Sequence, residues 1–309
     1  MAAVTHTSAS EAPASAATPQ ARRVAEILRA PGLHWVGDGF RVRGYFNLRR
    51  GLAHRLSPFL LLDYHPPYEY PPTTSTRRGV GPHPHRGFET VTIAFAGSVA
   101  HHDTTGAGGV IGPGDVQWMT AASGVLHREY HEAEFARRGG TFHMAQLWVN
   151  LPREHKMGPP AYQGLRSDSI AAVELPESGG QVRVIAGEYR GAAGAARTFT
   201  RVHLFEVRLA PTGRFDFALA ASDNLAVLVM SGSVRFGESA AAEGDFVLLE
   251  NSGDHLSLVA TSDAHLLVLG GAPIDEPIAQ YGPFVMNDEH EIVQAARDYE
   301  RGAFGHLED

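Results

Sequence analysis

The stretch Gly81-Pro-His83-Pro-His85-Arg-Gly-Phe-Glu89, read together with Leu126-His127-Arg-Glu129 further along, decides the fold of this chain. Successive side chains of a strand point to opposite faces, so His83 and His85 share one face. By the same parity His127 and Glu129 share one face of another strand. Two such strands lying side by side offer three ring nitrogens and one carboxylate to a single ion. An isolated His-x-His is as often a solvated surface pair. Two such patterns within one β-rich segment instead point to a metal site inside a small β-barrel.

The flanking sequence supports that barrel. From Phe40 to Pro160 short β-rich runs alternate with Gly and Pro, and strong helical periodicity is absent. Phe59-Leu-Leu-Leu-Asp63, Thr90-Val-Thr-Ile-Ala-Phe95 and Ala145-Gln-Leu-Trp-Val149 have the apolar density of buried strands. Gly97-Ser98, Gly106 to Gly109 and Gly112-Pro-Gly-Asp115 supply turns, where glycine reaches positive φ without steric cost. A Pro-rich connector, Leu151 to Pro160, leads into a second series of strands: Val182–Ile185, Val202–Val207, Leu225–Val229, Asp245–Leu249 and His265–Leu269. Glu243-Gly-Asp245 repeats the turn chemistry of Pro113-Gly-Asp115, which indicates an internal duplication. The second copy lacks both histidine patterns. Its His203, His255 and His265 are scattered, so it reads as metal-free. Asn287 to Arg301 begins with a capping Asn and acidic residues and stops at Gly302, the signature of a terminal helix.

The expected organisation is therefore a disordered tail over residues 1–25, a metal-binding domain over 26–160, and a degenerate copy with a terminal helix over 161–309. The tail is rich in Ala, Ser, Thr and Pro and lacks the apolar segment of a secretory signal. With 309 residues, 43% of them hydrophobic, the chain is long enough for two cores. The absence of Cys excludes disulfides, thiolate ligands and a cysteine nucleophile, leaving His and carboxylate as metal donors. A net charge of -8 argues against direct nucleic-acid binding, which needs dense Lys and Arg. No apolar run approaches the length of about 20 residues that spans a bilayer. The expected address is cytoplasmic, with an organellar transit peptide as the weaker alternative.

Long motifs in order resemble the pirin family, two-domain members of the cupin superfamily. In the first domain these are Phe59 to Asp63, Pro82-His-Pro-His-Arg-Gly-Phe-Glu-Thr90, Gly112-Pro-Gly-Asp-Val-Gln-Trp-Met-Thr-Ala121, Ser123-Gly-Val-Leu-His-Arg-Glu129 and Gln146-Leu-Trp-Val-Asn-Leu-Pro152. Glu276-Pro-Ile-Ala-Gln-Tyr-Gly-Pro-Phe-Val-Met-Asn287 resembles the family's second-domain signature. The resemblance implies an all-β fold of two cupin-type β-barrels (double-stranded β-helices, or jelly rolls) with a short C-terminal helix. It implies metal ligands at His83, His85, His127 and Glu129. The general cupin pattern uses a Glu at the place of Glu89, whose parity would let it face the same cavity. Pirins use the later Glu, which ranks Glu129 first and puts Glu89 behind the ligands or in strand pairing. Tyr64-His65 and the doubled His101-His102-Asp103 depart from the pattern and bear on substrate shape.

Three imidazoles and one carboxylate suit Fe, Ni, Mn or Zn; the resemblance implies Fe(II). Four protein ligands on an octahedral ion leave two positions for a substrate or dioxygen, whereas a closed site is structural. Asp103, Glu89 and Gln146 are candidates to orient the ligands. The implied activity is quercetin 2,3-dioxygenase chemistry, an oxygen-dependent opening of a flavonol ring, with Glu129 as ligand or as proton acceptor. Phe88, Trp118, Trp148 and Tyr64 are candidates to line a pocket for a flat phenol, although core packing is the simpler role for the two tryptophans. A second reading implied by the family is an iron-dependent redox sensor that binds a transcription factor or metabolic enzyme. A third is a purely structural metal.

Overall fold

Thr90-Val-Thr-Ile alternates because its strand separates two different interiors. In the computed structural model, which describes residues 20–48 and 52–308, Val91 and Ile93 enter a core between two sheets. Thr92, on the opposite face, turns into a barrel and bonds Glu129 across it. The strands of the first half are β1 (Val24–Leu28), β2 (Leu33–Val36), β3 (Phe40–Phe46), β4 (Phe59–Tyr70), β5 (Gly79–His85) and β6 (Phe88–Ala96). They continue as β7 (Val99–Asp103), β8 (Gly108–Ile111), β9 (Val116–Thr120), β10 (Val125–His131), β11 (Gly140–Asn150) and β12 (Ala161–Leu165). A seven-stranded sheet runs β12-β9-β6-β11-β4-β3-β2 and faces a four-stranded sheet, β5-β10-β7-β8.

The second half repeats the plan strand for strand. Its large sheet runs β1, Phe246–Leu249, Asn224–Ser231, Ala264–Gly271, Val202–Leu209, Gly180–Ala186, Ala171–Glu174. Its small sheet runs Arg214–Ala218, His255–Ala260, Ser233–Phe236, Ser239–Ala242. The expected all-β pair of barrels is thus present, and the duplicated turn is duplicated down to its hydrogen bonds. Asp115 Oδ2 accepts from Gly112 N at 3.0 Å and Asp245 Oδ2 from Ala242 N at 2.9 Å. Each aspartate also pairs at 2.6 Å with an arginine from another segment, Arg166 in one domain and Arg29 in the other.

The two large sheets pack face to face. Leu62, Val91, Trp118 and Leu147 from the first meet Leu204, Leu228, Phe246 and Leu267 from the second in one core. Burying these side chains contributes about 1.5–3 kcal/mol each, so the contact between the two large sheets is part of the apolar core. The chain crosses between them twice. The strand β1, at the start of the chain, pairs antiparallel with Phe246–Leu249 of the second domain, while β12, beyond the Pro-rich connector, closes the edge of the first.

The tail expected over residues 1–25 lies outside the described residues up to 19, and residues 20–25 are instead fastened to the second domain. Arg22 is buried, its guanidinium donating to the carbonyls of Gly253, Asp223, Ala220 and Ala221. The terminal helix spans Glu289–Glu300, and its cap is Asp288 rather than the expected Asn287. Asp288 Oδ1 accepts from Glu291 N at 3.0 Å while Glu291 Oε2 accepts from Asp288 N at 3.2 Å, a reciprocal capping box. The Asn287 amide instead donates to Glu276 and to the Pro277 carbonyl.

Candidate metal centre

The strand β5 carries Pro82 and Pro84, which have no N–H to donate, and it lies at the edge of its sheet, where proline is tolerated. His83, between the two prolines, and His85, after Pro84, face inward toward β10. In the antiparallel pair with β10, His83 stands opposite His127 and His85 opposite Val125. The three rings therefore converge: centroids are 4.2 Å apart for His83 and His127, 4.7 Å for His85 and His127, and 4.9 Å for His83 and His85. One ring nitrogen of each lies within 4.8 Å of the others.

The hydrogen bonds around these rings select the free nitrogens. His83 Nδ1 is engaged by the Gly81 carbonyl at 2.8 Å, which leaves Nε2. His127 Nδ1 is 3.0 Å from His101 Nε2, and His127 Nε2 is buried without a protein partner. His85 Nδ1 is likewise buried and unpartnered. Burial, reinforced by the neighbouring imidazoles, holds His85 and His127 well below the ordinary histidine range, so both rings are neutral. Neutral rings with free lone pairs are what a cation requires. Unsatisfied nitrogens in a buried site otherwise carry a cost of about 1–3 kcal/mol each.

Glu129 lies outside the group whose donor atoms come within 4.8 Å of one another. Against β5 the register slips by one residue, so that Glu129 lies opposite Val80, but against β7 it stays regular, His127 opposite Asp103 and Glu129 opposite His101, so Glu129 keeps the face of His127. Its carboxylate meets the large sheet: Thr92 Oγ1 donates to Oε1 at 3.2 Å and Gln146 Nε2 to Oε2 at 3.0 Å. Burial raises its pKa, opposed by His83 and by the two donors. Of the residues expected to orient the site, Gln146 alone bonds Glu129. Asp103 Oδ1 is occupied by Thr105 N and Oγ1 in a turn.

Glu89 does not face this cavity. The chain reverses through Gly87, at φ +87°, so parity counted from His85 does not carry over into β6. Glu89 lies on the face of Val91 and Ile93 and accepts from Thr120 Oγ1 at 2.7 Å, its pKa pushed up to about 7 by burial. The aromatic candidates divide. Trp118 and Tyr64 belong to the core between the sheets. The Phe88 and Trp148 rings lie 4.2 Å apart, tilted by 33°, and both flank His85, at 5.0 and 5.4 Å; Trp148 also packs against the small apolar cluster of Leu60, Phe88 and Val285. Sequence reasoning noted His101 only as a departure bearing on substrate shape, and missed Gln117. His101 is fully buried and stacks on Tyr162 at 5.3 Å and 10°, and only its alternation with buried Val99 and Asp103 marks it. Gln117 is buried with both amide atoms unpartnered.

The second barrel shows what this interior replaces. The shared turn aligns Thr92, Gln117 and Gln146 with Val227, Val247 and Val268. In the small sheets Val99 pairs with His131 as Val234 pairs with Ala260. That register puts Leu256 in the place of His127, Leu258 in that of Glu129 and Phe236 in that of His101. Phe217, opposite Leu256, takes the place of His83. All seven substitutes are core residues.

The histidine hairpin is fastened from behind by the end of the chain. Arg86 Nε donates to Ser123 O at 2.6 Å, Arg86 O accepts from Val285 N at 3.0 Å, and Arg86 pairs with Asp298. Lys156 Nζ is buried and donates to Gly87 O, Asn150 Oδ1 and Val285 O at 2.7, 2.6 and 3.0 Å.

Set beside known proteins, residues 39–149 match the Pirin family and residues 204–305 the Pirin C-terminal cupin domain. A Pseudomonas aeruginosa protein named "Putative quercetin 2,3-dioxygenase" is 50% identical over 283 residues, which cover 92% of this chain and 98% of that protein. A crystal structure of quercetin 2,3-dioxygenase from Acinetobacter baumannii superposes with a TM-score of 0.90 at 46% identity, over 94% of this chain and 100% of that one. A bacterial pirin from Escherichia coli in complex with nickel(II) shares the fold, with a TM-score of 0.58 at 19% identity over 81% of this chain and 100% of that one.

Proposed function

The chain belongs to the pirin family, and from that premise we propose that it is a metal-dependent dioxygenase that opens flavonol rings, quercetin being the type substrate, with O2. The observation that carries the reading is the set of three imidazoles, His85 and His127 buried and His83 partly so, that bring one ring nitrogen each within 4.8 Å of the others. In this reading His83, His85, His127 and Glu129 hold a divalent cation. Fe(II) is our first choice, with Ni, Mn and Zn compatible with the same donors; the Escherichia coli pirin binds nickel(II). No helix among the described residues is long and apolar enough to cross a membrane, and the proposed setting is the cytoplasm.

When bound, the cation supplies Lewis acidity that lowers the pKa of the flavonol enol and holds it for reaction with O2. The protein's share follows from its own residues. Phe88 and Trp148 offer aromatic faces beside His85 to a flat ring system. Gln117 and Thr90 carry buried polar atoms without protein partners, suited to the hydroxyl and carbonyl groups of a phenol. Glu129 serves first as a ligand. Its raised pKa also suits it to take the enol proton when it swings toward substrate, with Thr92 and Gln146 setting its resting orientation.

Protein loaded with Fe(II) or Ni(II) and mixed with quercetin in air should deplete the flavonol and release carbon monoxide. Failure with every divalent ion tried ends the dioxygenase reading.

A further inference from the structure

The third strand of the small sheet, β7, contributes a residue to this centre that neither the expected ligand set nor the activity assigns. We propose that His101 is the positioning residue for His127, fixing its ring so that Nε2 faces the cation; the inference rests on the metal-centre reading above. His101 is fully buried, stands opposite Glu129 in the β7 to β10 pairing, and places Nε2 3.0 Å from His127 Nδ1. Its own ring is kept in plane by Tyr162 of β12, stacked at 5.3 Å and 10°.

The protons then have one arrangement. A histidine that gives its Nε2 lone pair to a cation keeps its proton on Nδ1, and that N–H must donate. His101 Nε2 is the acceptor, so His101 carries its single proton on Nδ1, a buried atom that has no protein partner. The usual partner of a ligating histidine is a carboxylate or a backbone carbonyl; here it is a neutral imidazole. The second barrel supplies an independent observation. Where His127 is replaced by Leu256, the residue in the place of His101 is Phe236, so ligand and partner are absent together.

The test titrates Ni(II) calorimetrically into metal-free protein: the unaltered chain, His101→Phe, and His101→Gln, whose amide reaches the position of the lost Nε2. We expect the Phe variant to bind about 10- to 100-fold more weakly and the Gln variant to recover most of the loss. Equal affinity in the Phe variant and the unaltered chain overturns the proposal. A readout that needs no variant is the set of imidazole 15N shifts of the Zn(II)-loaded protein, expected to show the His101 proton on Nδ1; a proton on Nε2 overturns it equally. If the unaltered chain binds neither ion, the metal-centre reading itself has failed, an outcome distinct from a bound ion with an indifferent His101.

Discussion

Arg86, the residue after His85, forms a buried ion pair at 2.8 Å with Asp298 of the terminal helix, and the Phe304 ring lies 4.6 Å from the guanidinium carbon. The histidine hairpin of the first barrel is thereby held by the last segment of the chain. Removing one partner of a fully buried pair costs roughly 3–5 kcal/mol. Arg301 shares Asp298 from the more exposed side, so Asp298→Ala should cost on the order of 2 kcal/mol, seen as a lower Tm. Because the pair positions the hairpin, the same variant should also weaken Ni(II) binding. A lower Tm with undiminished metal affinity would show that the helix stabilises the fold without shaping the site.

Gly87 tests the same fastening from the other side. A Cβ placed there would lie 1.9 Å from the Val285 carbonyl oxygen, and the backbone is at φ +87°, a conformation that L side chains rarely adopt. Gly87→Ala must push away the segment to which Lys156 is also bonded. Expected outcomes are a Tm lower by several degrees and faster proteolysis within residues 276–308, measured on the full chain. Unchanged proteolysis and Tm would contradict the close packing described here.

Much of the centre was legible because parity within one strand is a local property. His83 with His85 needed only that rule, and their pairing with His127 needed only that β5 and β10 be neighbours. Parity fails wherever the backbone breaks step. The reversal at Gly87 sends Glu89 to the opposite face of the sheet, whereas β10 keeps step against β7 and holds Glu129 on the face of His127. Other features depend on tertiary neighbours that no local pattern encodes. His101 is defined by its bond to a strand elsewhere in the chain, and β1 belongs to a domain whose other strands begin beyond residue 170. The helix start was misread by one residue because Asn287 and Asp288 are both good caps, and only the reciprocal Glu291 bond separates them.

Glu206 makes the second domain sensitive to acid. Burial alone would raise its pKa, but His265 at 2.8 Å, together with Arg183 and Arg208, brings it down to about 2. A carboxylate depressed in the folded state contributes stability above its unfolded pKa, near 4.5, and loses that contribution as pH falls toward 2. The stake is on the order of 3 kcal/mol. Urea midpoints should therefore fall steeply between about pH 4.5 and 2, and Glu206→Gln should be less stable at neutral pH with a flatter acid limb. Parallel curves for the two proteins would remove Glu206 as the cause.

The two barrels share a strand order but differ in what fills them, and this predicts a trade between stability and metal binding. The first barrel places buried His127, His101, Glu129 and Thr92 and half-buried Gln146 where the second has Leu256, Phe236, Leu258, Val227 and Val268. Replacing a single member strands its partner, since Thr92 and Gln146 donate to Glu129 and His101 meets His127. A stranded buried polar group costs about 1–3 kcal/mol, whereas removing both partners can be neutral or favourable. The combined variant H127L/H101F/E129L/T92V/Q146V removes each pair whole and reproduces a packing that this chain already uses in its other half. Leu and Phe are somewhat larger than the Glu and His they replace and Val is somewhat larger than Thr, a crowding that the second barrel accommodates with the same residues. Its metal-free form should melt at the same temperature as the unaltered metal-free protein or a few degrees higher, while calorimetry detects no Ni(II) binding. A loss of more than about 5 °C would mean that the polar interior contributes to the fold in its own right, and that the first barrel is not simply the second with a metal centre installed.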